Sequence, residues 1–300
     1  MKRRLLNALR KFKHVPGLNR VVKPVVKYKV NKTIDAVASH FFEHFSLVVA
    51  SEEDDVKTCF KARHEVYCEE LGFEEKTKSK MEFDEFDEYS LSCYIKHRAT
   101  GECAGTIRLV MPQHAGQLLP IESSCPEAIR LAEHSPSKFP RHSICEVSRL
   151  AIPKRFRRRA ADKQLSPIGG TPNHKDGQMD KQLNRNFPYL SLALYFFAAT
   201  ICILRDIDNG YMMMEPRLAR SLKFLGVRFH QLGHEVNYHG KRAAFLISPE
   251  DFVSQVSPAL QKFQRSILRE LQDVPNFGAI YHPLPAVAVK KQSSKQRKAA

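Results

Sequence analysis

The chain predicts a mixed α/β (α+β) fold, with a central, mostly antiparallel sheet flanked by helices. Three observations carry this expectation. Strand-like and helix-like segments alternate from Phe45 onward. The first half contains a hairpin, which implies antiparallel pairing, and the second half reads as a β-α-β unit, which adds a parallel neighbour. The 300 residues, 43% of them hydrophobic, suffice for one substantial core.

The elements follow in order. Phe45-Ser46-Leu47-Val48-Val49-Ala50 reads as a strand. Ser51, followed by Glu52, Glu53 and Asp54, supplies an N-cap and an acidic first turn for a helix that stops at Gly72. Leu91–Ile95 and Ala104–Val110 flank Arg98-Ala99-Thr100-Gly101-Glu102 and form a hairpin. A polar stretch from Pro112 to His142 leads to a strand over Ile144–Ile152. The segment from Pro153 to Pro188 has few large apolar residues and is expected to be a mobile basic loop. Leu190–Leu204 is a buried helix, Tyr211–Met214 a buried strand, and Pro216 opens a helix that ends at Gly226. Val227–Leu232 and Ala243–Ser248 read as strands joined through Asn237-Tyr238-His239-Gly240. Phe252, Val256, Leu260, Phe263 and Ile267 mark an amphipathic C-terminal helix. Three regions result: a basic N-terminal extension (1–45), a catalytic domain (46–249, with the loop at 153–188), and the C-terminal helix with a basic tail (250–300).

Composition narrows the function. No apolar run reaches the roughly 18–20 uncharged residues of a membrane span. Basic residues at Arg10, Lys11 and Lys13 interrupt any signal-peptide core, so a cytoplasmic protein is expected. The 7 cysteines show no Cys-x-x-Cys spacing, which fits a reducing compartment and no metal site. The formal charge is +16, and no acid occurs between Lys2 and Lys32. Such a field favours an acidic partner: a carrier protein, an anionic membrane surface at the inner face, or nucleic acid. Leu5, Leu6, Leu9 and Phe12 are spaced as on an interfacial helix, and a non-enzymatic basic peripheral protein is the corresponding alternative.

Phosphate-loop, dinucleotide-binding, nucleophile-elbow and zinc-peptidase motifs are all absent from the sequence. What remains is an ordered polar set. Arg63 and Tyr67 lie one helical turn apart. Asp84 and Asp87 alternate with aromatics in Phe83-Asp84-Glu85-Phe86-Asp87. Arg108 sits in Gly105-Thr106-Ile107-Arg108-Leu109, and Glu146, Ser148 and Arg149 interrupt an otherwise apolar strand. Alternation puts Glu146 and Ser148 on one face and Arg149 on the other, unless a bulge intervenes.

Together with Phe73, these residues resemble the pattern of acyl-homoserine-lactone (autoinducer) synthases over about Ser46 to Arg149. Phe73 stands where that family usually has Trp. The long loop after Pro153, Met214-Glu215-Pro216-Arg217-Leu218 and Tyr238-His239-Gly240 look more like a sister group, the N-acyl amino acid synthases and PEP-CTERM/exosortase-system-associated acyltransferases. The resemblance implies a GNAT-like fold and an N-acyltransferase moving a long-chain acyl group from acyl carrier protein to an amino acid or similar amine. A lactone synthase using S-adenosylmethionine is the alternative within the fold. It further implies that Arg63, Asp84, Asp87, Arg108 and Arg149 shape the amine pocket, that Tyr67 and Phe73 wall it, and that Glu146, with Ser148 and Arg149, does the chemistry.

No tightly bound cofactor is expected, and the donor is the acyl-phosphopantetheine of a carrier protein, or acyl-CoA. The strand leads into Lys154-Arg155-Phe156-Arg157-Arg158-Arg159 without the glycine-rich turn that cradles a pyrophosphate. Arg155, Arg157, Arg158 and Arg159 are therefore expected to dock an acidic carrier protein. Nucleic acid is set aside for want of a recognition motif.

Overall fold

The computed structural model describes residues 41–157 and 189–272. The proposed N-terminal amphipathic helix, most of the 153–188 loop with Arg158 and Arg159, and the basic tail lie outside the described residues.

One twisted sheet organises the rest. Strand β1 (Phe45–Val49), β2 (Ser90–His97), β3 (Cys103–Val110) and β4 (Ile144–Ala151) form an antiparallel meander. β4 then pairs in parallel with β5 (Asn209–Met214). After β6 (His230–Gln231) and β7 (Val236–Asn237), the sheet is completed by β8 (Lys241–Ile247), which lies antiparallel to β5. The strand order is β1-β2-β3-β4-β5-β8-β6, with β7 paired to β8. The mixed, mostly antiparallel sheet is as the sequence predicts.

Helix α1 (Glu53–Arg63) covers the face formed by β2, β3 and β4 and continues over His64–Glu70 as a π-helix. The other face is covered by the buried helix between β4 and β5 and by the C-terminal helices. Gly72, at φ +64°, ends the first helical segment as expected. The predicted Ser51 cap is not used: Ala50 still donates to Ser92, 2.9 Å away, as an extension of β1, and the helix starts one residue later, behind Glu52.

The polar stretch before β4 is not plain loop. It contains α2 (Pro120–Ser124), whose buried Pro120 and Ile121 seat it against the sheet. Helix α3 (Tyr189–Leu204) lies between β4 and β5, and Cys202 on it meets Cys145 of β4 with the sulfurs 3.4 Å apart. Helix α4 (Pro216–Phe224) follows β5.

Two expectations are corrected. The strand at Val227–Leu232 shortens to His230–Gln231, and Tyr238-His239-Gly240 joins β7 to β8, His239 and Gly240 turning with positive φ. The C-terminal helix is two, α5 (Pro249–Ser254) and α6 (Pro258–Gln272), because Pro258 cannot donate to a continuing helix. Both contribute to the same core as α3. Among the described residues, no helix is long and apolar enough to cross a membrane.

Candidate active site

The site forms where the sheet forks. β4 and β5 pair at only three positions, Ile144–Asn209, Cys145–Gly210 and Glu146–Tyr211. Beyond these the two strands no longer pair with each other, Val147 to Leu150 staying with β3 and Met212 to Met214 with β8, and a cleft of about 470 Å³ opens between them. Tyr67, Phe73, Tyr195, Arg217 and Arg242 also line it.

The fork is accompanied by a bulge. Thr106 pairs with Ala151 and Arg108 with Ser148, so Arg149 and Leu150 together face Ile107. Arg149 takes φ +48°, a conformation a bulky residue adopts only where its surroundings enforce it. This is the bulge on which the sequence reading depended, and it turns Arg149 toward the same cluster as Arg108.

That cluster is a closed ionic network. Arg63 contacts both oxygens of Asp87, at 2.6 and 3.0 Å, and its Nε donates to Glu82. Arg108 donates from Nη1 to Asp84 at 2.5 Å and from Nε to Ser148 Oγ at 3.1 Å. Arg149 reaches Glu82 at 3.1 Å, Asp84 at 3.1 Å and Glu74 at 3.2 Å. Local sequence prepares the carboxylates. Asp84 and Asp87 form a capping box around the 3-10 turn Glu85–Tyr89, Asp84 Oδ1 accepting from the Phe86 amide and Asp87 Oδ2 from that of Asp84.

Burial pushes the Asp87 carboxyl upward, but Arg63 and Arg108 outweigh it and hold the group well below its ordinary range. Glu82 is likewise lowered, the charges of Arg63 and Arg149 prevailing over burial. Arg63 and Arg149 are raised, since their carboxylates overcome the opposing effect of burial.

Glu146 differs from these. It is 3% exposed, and its Oε2 accepts the Ile121 amide of α2 at 2.7 Å. Burial raises its carboxyl to about 7, against the opposing pull of that amide and of Arg108. It does not line the cleft itself but lies at the apex of the fork, one residue before Val147. Ser148 does line the cleft, and its hydroxyl hydrogen has no acceptor among the described residues.

Tyr67 donates its hydroxyl hydrogen to the Leu150 carbonyl, 2.8 Å away, and the Arg149 guanidinium lies 5.6 Å from its ring centre. Phe73 stacks on His239 at 4.9 Å. On the opposite sheet face the cleft continues into a small apolar slot of about 30 Å³. Val147, Tyr195 and Met212 line both spaces, and Ala198, Ala199 and Phe252 close the slot.

Arg63, Tyr67, Phe73, Asp84, Asp87, Arg108, Ser148 and Arg149 thus converge around one cleft, with Glu146 at its base. Two docking residues are differently engaged: Arg155 contacts Glu65 and Glu102, and Arg157 contacts Glu70. Sequence reasoning missed Glu74, Glu82, the Ile121 amide, Tyr195 and Arg242. Only Glu82 had a signal, because Glu82-Phe83-Asp84 extends the carboxylate–aromatic alternation by one step.

A family model described as an acetyltransferase (GNAT) domain matches residues 62–166, the span from α1 to just past β4 that contains the network. Over these residues the chain is similar to that domain. The match supports an acyltransferase.

Three solved structures are similar to the chain. TofI, in a ternary complex with an inhibitor and MTA, is 17% identical over 73% of this chain and 96% of its own, with TM-score 0.50. The acyl-homoserine-lactone synthase LasI is 17% identical over 73% of this chain and 95% of its own, at 0.47. FeeM, an N-acyl amino acid synthase from uncultured soil microbes, is 16% identical over 72% and 96%, also at 0.47. At this identity the TofI match speaks for the fold alone. No curated protein matches the chain.

Proposed function

We propose that the protein transfers a long-chain fatty acyl group from the thioester of an acyl carrier protein to the amine of an amino acid or similar small molecule. One observation carries the reading. The fork in the sheet joins a polar pocket on one face, beside a buried carboxyl tuned to about 7, to an apolar slot on the other. A thioester placed in the fork would have its carbonyl carbon beside Ser148 and its alkyl chain directed past Tyr195 toward the slot. At about 30 Å³ the slot admits only the first carbons until the helices around it part.

The steps follow from that placement. An amine attacks only as the neutral base, and a carboxylate with affinity for a proton near neutrality is suited to remove the proton, directly or through one water. As the nitrogen–carbon bond forms, the carbon–sulfur bond breaks and the pantetheine thiolate leaves, taking up the second proton shed by the nitrogen to become the thiol. Ser148, polarised by Arg108, offers its hydroxyl hydrogen to the charge that develops there. The negative balance of the ionic network favours the ammonium form of the arriving acceptor. Glu146 then converts that ammonium to the nucleophile.

For the donor, two features favour a carrier protein. β4 ends in Pro153-Lys154-Arg155 rather than a glycine-rich pyrophosphate cradle, and the chain carries a formal charge of +16. Since Arg155 and Arg157 hold carboxylates of their own chain, the docking role falls chiefly to Arg158, Arg159 and the basic termini.

Incubation with palmitoyl-carrier protein or palmitoyl-CoA, together with pooled L-amino acids, tests this by mass spectrometry. N-palmitoyl amino acids and faster turnover of the carrier-bound donor are expected. Intact thioester in every mixture would overturn the reading, and a lactone formed only with S-adenosylmethionine would replace it with autoinducer synthesis.

A further inference from the structure

Three arginines line the cleft, and they differ in one respect. Arg149 is held by Glu74, Glu82 and Asp84, and the exposed Arg217 by Glu215. Arg242 lines the same cleft with its Nε buried and without a hydrogen-bond partner, and it has no carboxylate partner among the described residues. A guanidinium nitrogen buried without a partner is costly, and such atoms commonly mark a ligand's place.

The position of Arg242 indicates which ligand group it awaits. Glu146, Tyr211 and Leu246 are successive partners across β4, β5 and β8, so their side chains share a sheet face. Arg242 lies four residues from Leu246 along β8 and by alternation emerges on that same face. At the level of Glu146, β4 and β8 are two strand spacings apart, about 10 Å, and the fork widens that gap toward Arg242. The Arg242 charge also acts on Tyr67 and Tyr195, which wall the cleft.

The rest of the pocket is unsuited to an anion. Glu74, Glu82, Asp84 and Asp87 together face Arg63, Arg108 and Arg149, leaving that cluster with an excess of negative charge. It suits the ammonium end of a small molecule and repels the carboxylate end.

We propose that Arg242 binds the carboxylate of the acceptor, making the substrate a free amino acid or another small amino-carboxylate rather than a simple amine. This rests on the N-acyl transfer proposed above and adds the element that selects its acceptor. The guanidinium is shaped for bidentate binding of a planar carboxylate. A phosphate of the donor arm has related chemistry, and the test separates the two sources.

The experiment uses the full chain, palmitoyl-carrier protein, and two acceptor pools: the twenty L-amino acids, and the same amino acids as their α-carboxamides. Wild-type protein should favour the acids at least tenfold in kcat/KM. Arg242→Gln should raise the KM for the acids at least tenfold, leave the donor KM and the slower amide acylation unchanged, and so abolish the preference. Arg242→Lys should recover part of it. A thermal melt matching that of wild-type protein shows that the variant is folded.

Arg242→Gln protein that still prefers acids overturns the proposal. So does a rise in donor KM in place of acceptor KM, which would assign the residue to the donor phosphate. Equal acylation of both pools by wild-type protein would leave N-acyl transfer standing and remove the role of Arg242. Acylation of neither pool would remove both.

Discussion

Arg63 and Asp87 meet through two parallel hydrogen bonds, 2.6 and 3.0 Å long, with side chains 1% and 2% exposed. A pair so thoroughly removed from water is tolerated because each partner meets a second opposite charge, Glu82 at Arg63 and Arg108 at Asp87. Loss of either partner strands the other in a medium that solvates it poorly.

Asp87→Asn should therefore destabilise the fold by about 3–5 kcal/mol, as expected when one partner of a buried pair is removed. Urea denaturation followed by far-ultraviolet circular dichroism reads this directly. A loss below 1 kcal/mol would mean that the pair is not structural.

Acid should act on the same network. Asp87 and Glu82 have folded-state pKa values below their unfolded ones, so their stabilisation is present above the ordinary carboxylate range. It is lost as pH falls from about 4 toward the lowered values. Melting temperature should drop more steeply below pH 4 in wild-type protein than in a variant already lacking Asp87; parallel curves would contradict the linkage.

Glu146 titrates in the opposite sense. Its folded-state carboxyl is raised to about 7, so the stability linked to its proton is complete below about 4.5 and is lost as pH rises through 7. Turnover should rise over the same interval as the base becomes available. Glu146→Gln should lower kcat by about 10²–10⁴, the usual contribution of a general base. It should also raise stability at pH 8 by up to roughly 3 kcal/mol, because no buried charge is then created. A variant with wild-type turnover would remove Glu146 from the chemistry.

Arg149→Ala removes the bonds to Glu74, Glu82 and Asp84 and relaxes the bulge. A fall in kcat of more than tenfold is expected, with a smaller stability change than at Arg63, since the Arg149 side chain is 17% exposed. Steady-state kinetics alongside thermal melts would separate the two effects.

Ala199 closes the apolar slot, so Ala199→Leu should shorten the acyl chain that fits. Palmitoyl donors should lose rate while short-chain donors retain it. An unchanged chain-length profile would place the acyl chain elsewhere.

What could be read in advance was local. The Arg63–Tyr67 spacing and the Asp84–Asp87 box are set within one or two turns of chain, and β2 and β3 are set by their hairpin. The missing parts depend on contacts distant in sequence. Arg108 meets Ser148 only through the β3–β4 register, and Glu146 meets Ile121 only because α2 folds back under β4. The bulge at Arg149 has no glycine to announce it, and Arg242 stands in no motif at all. Pro258, by contrast, was visible, but the apolar spacing that spans it obscured the helix break.

The closed ionic network has one more consequence. Its arginine rotamers are fixed before any substrate arrives, so the entropy of ordering them is spent in folding and not at each encounter. Catalysis then starts from a preorganised scaffold. Changes of acceptor during divergence would accordingly be expected along the rim of the cleft, where Phe73, His239 and Arg242 can be exchanged without unfolding the centre.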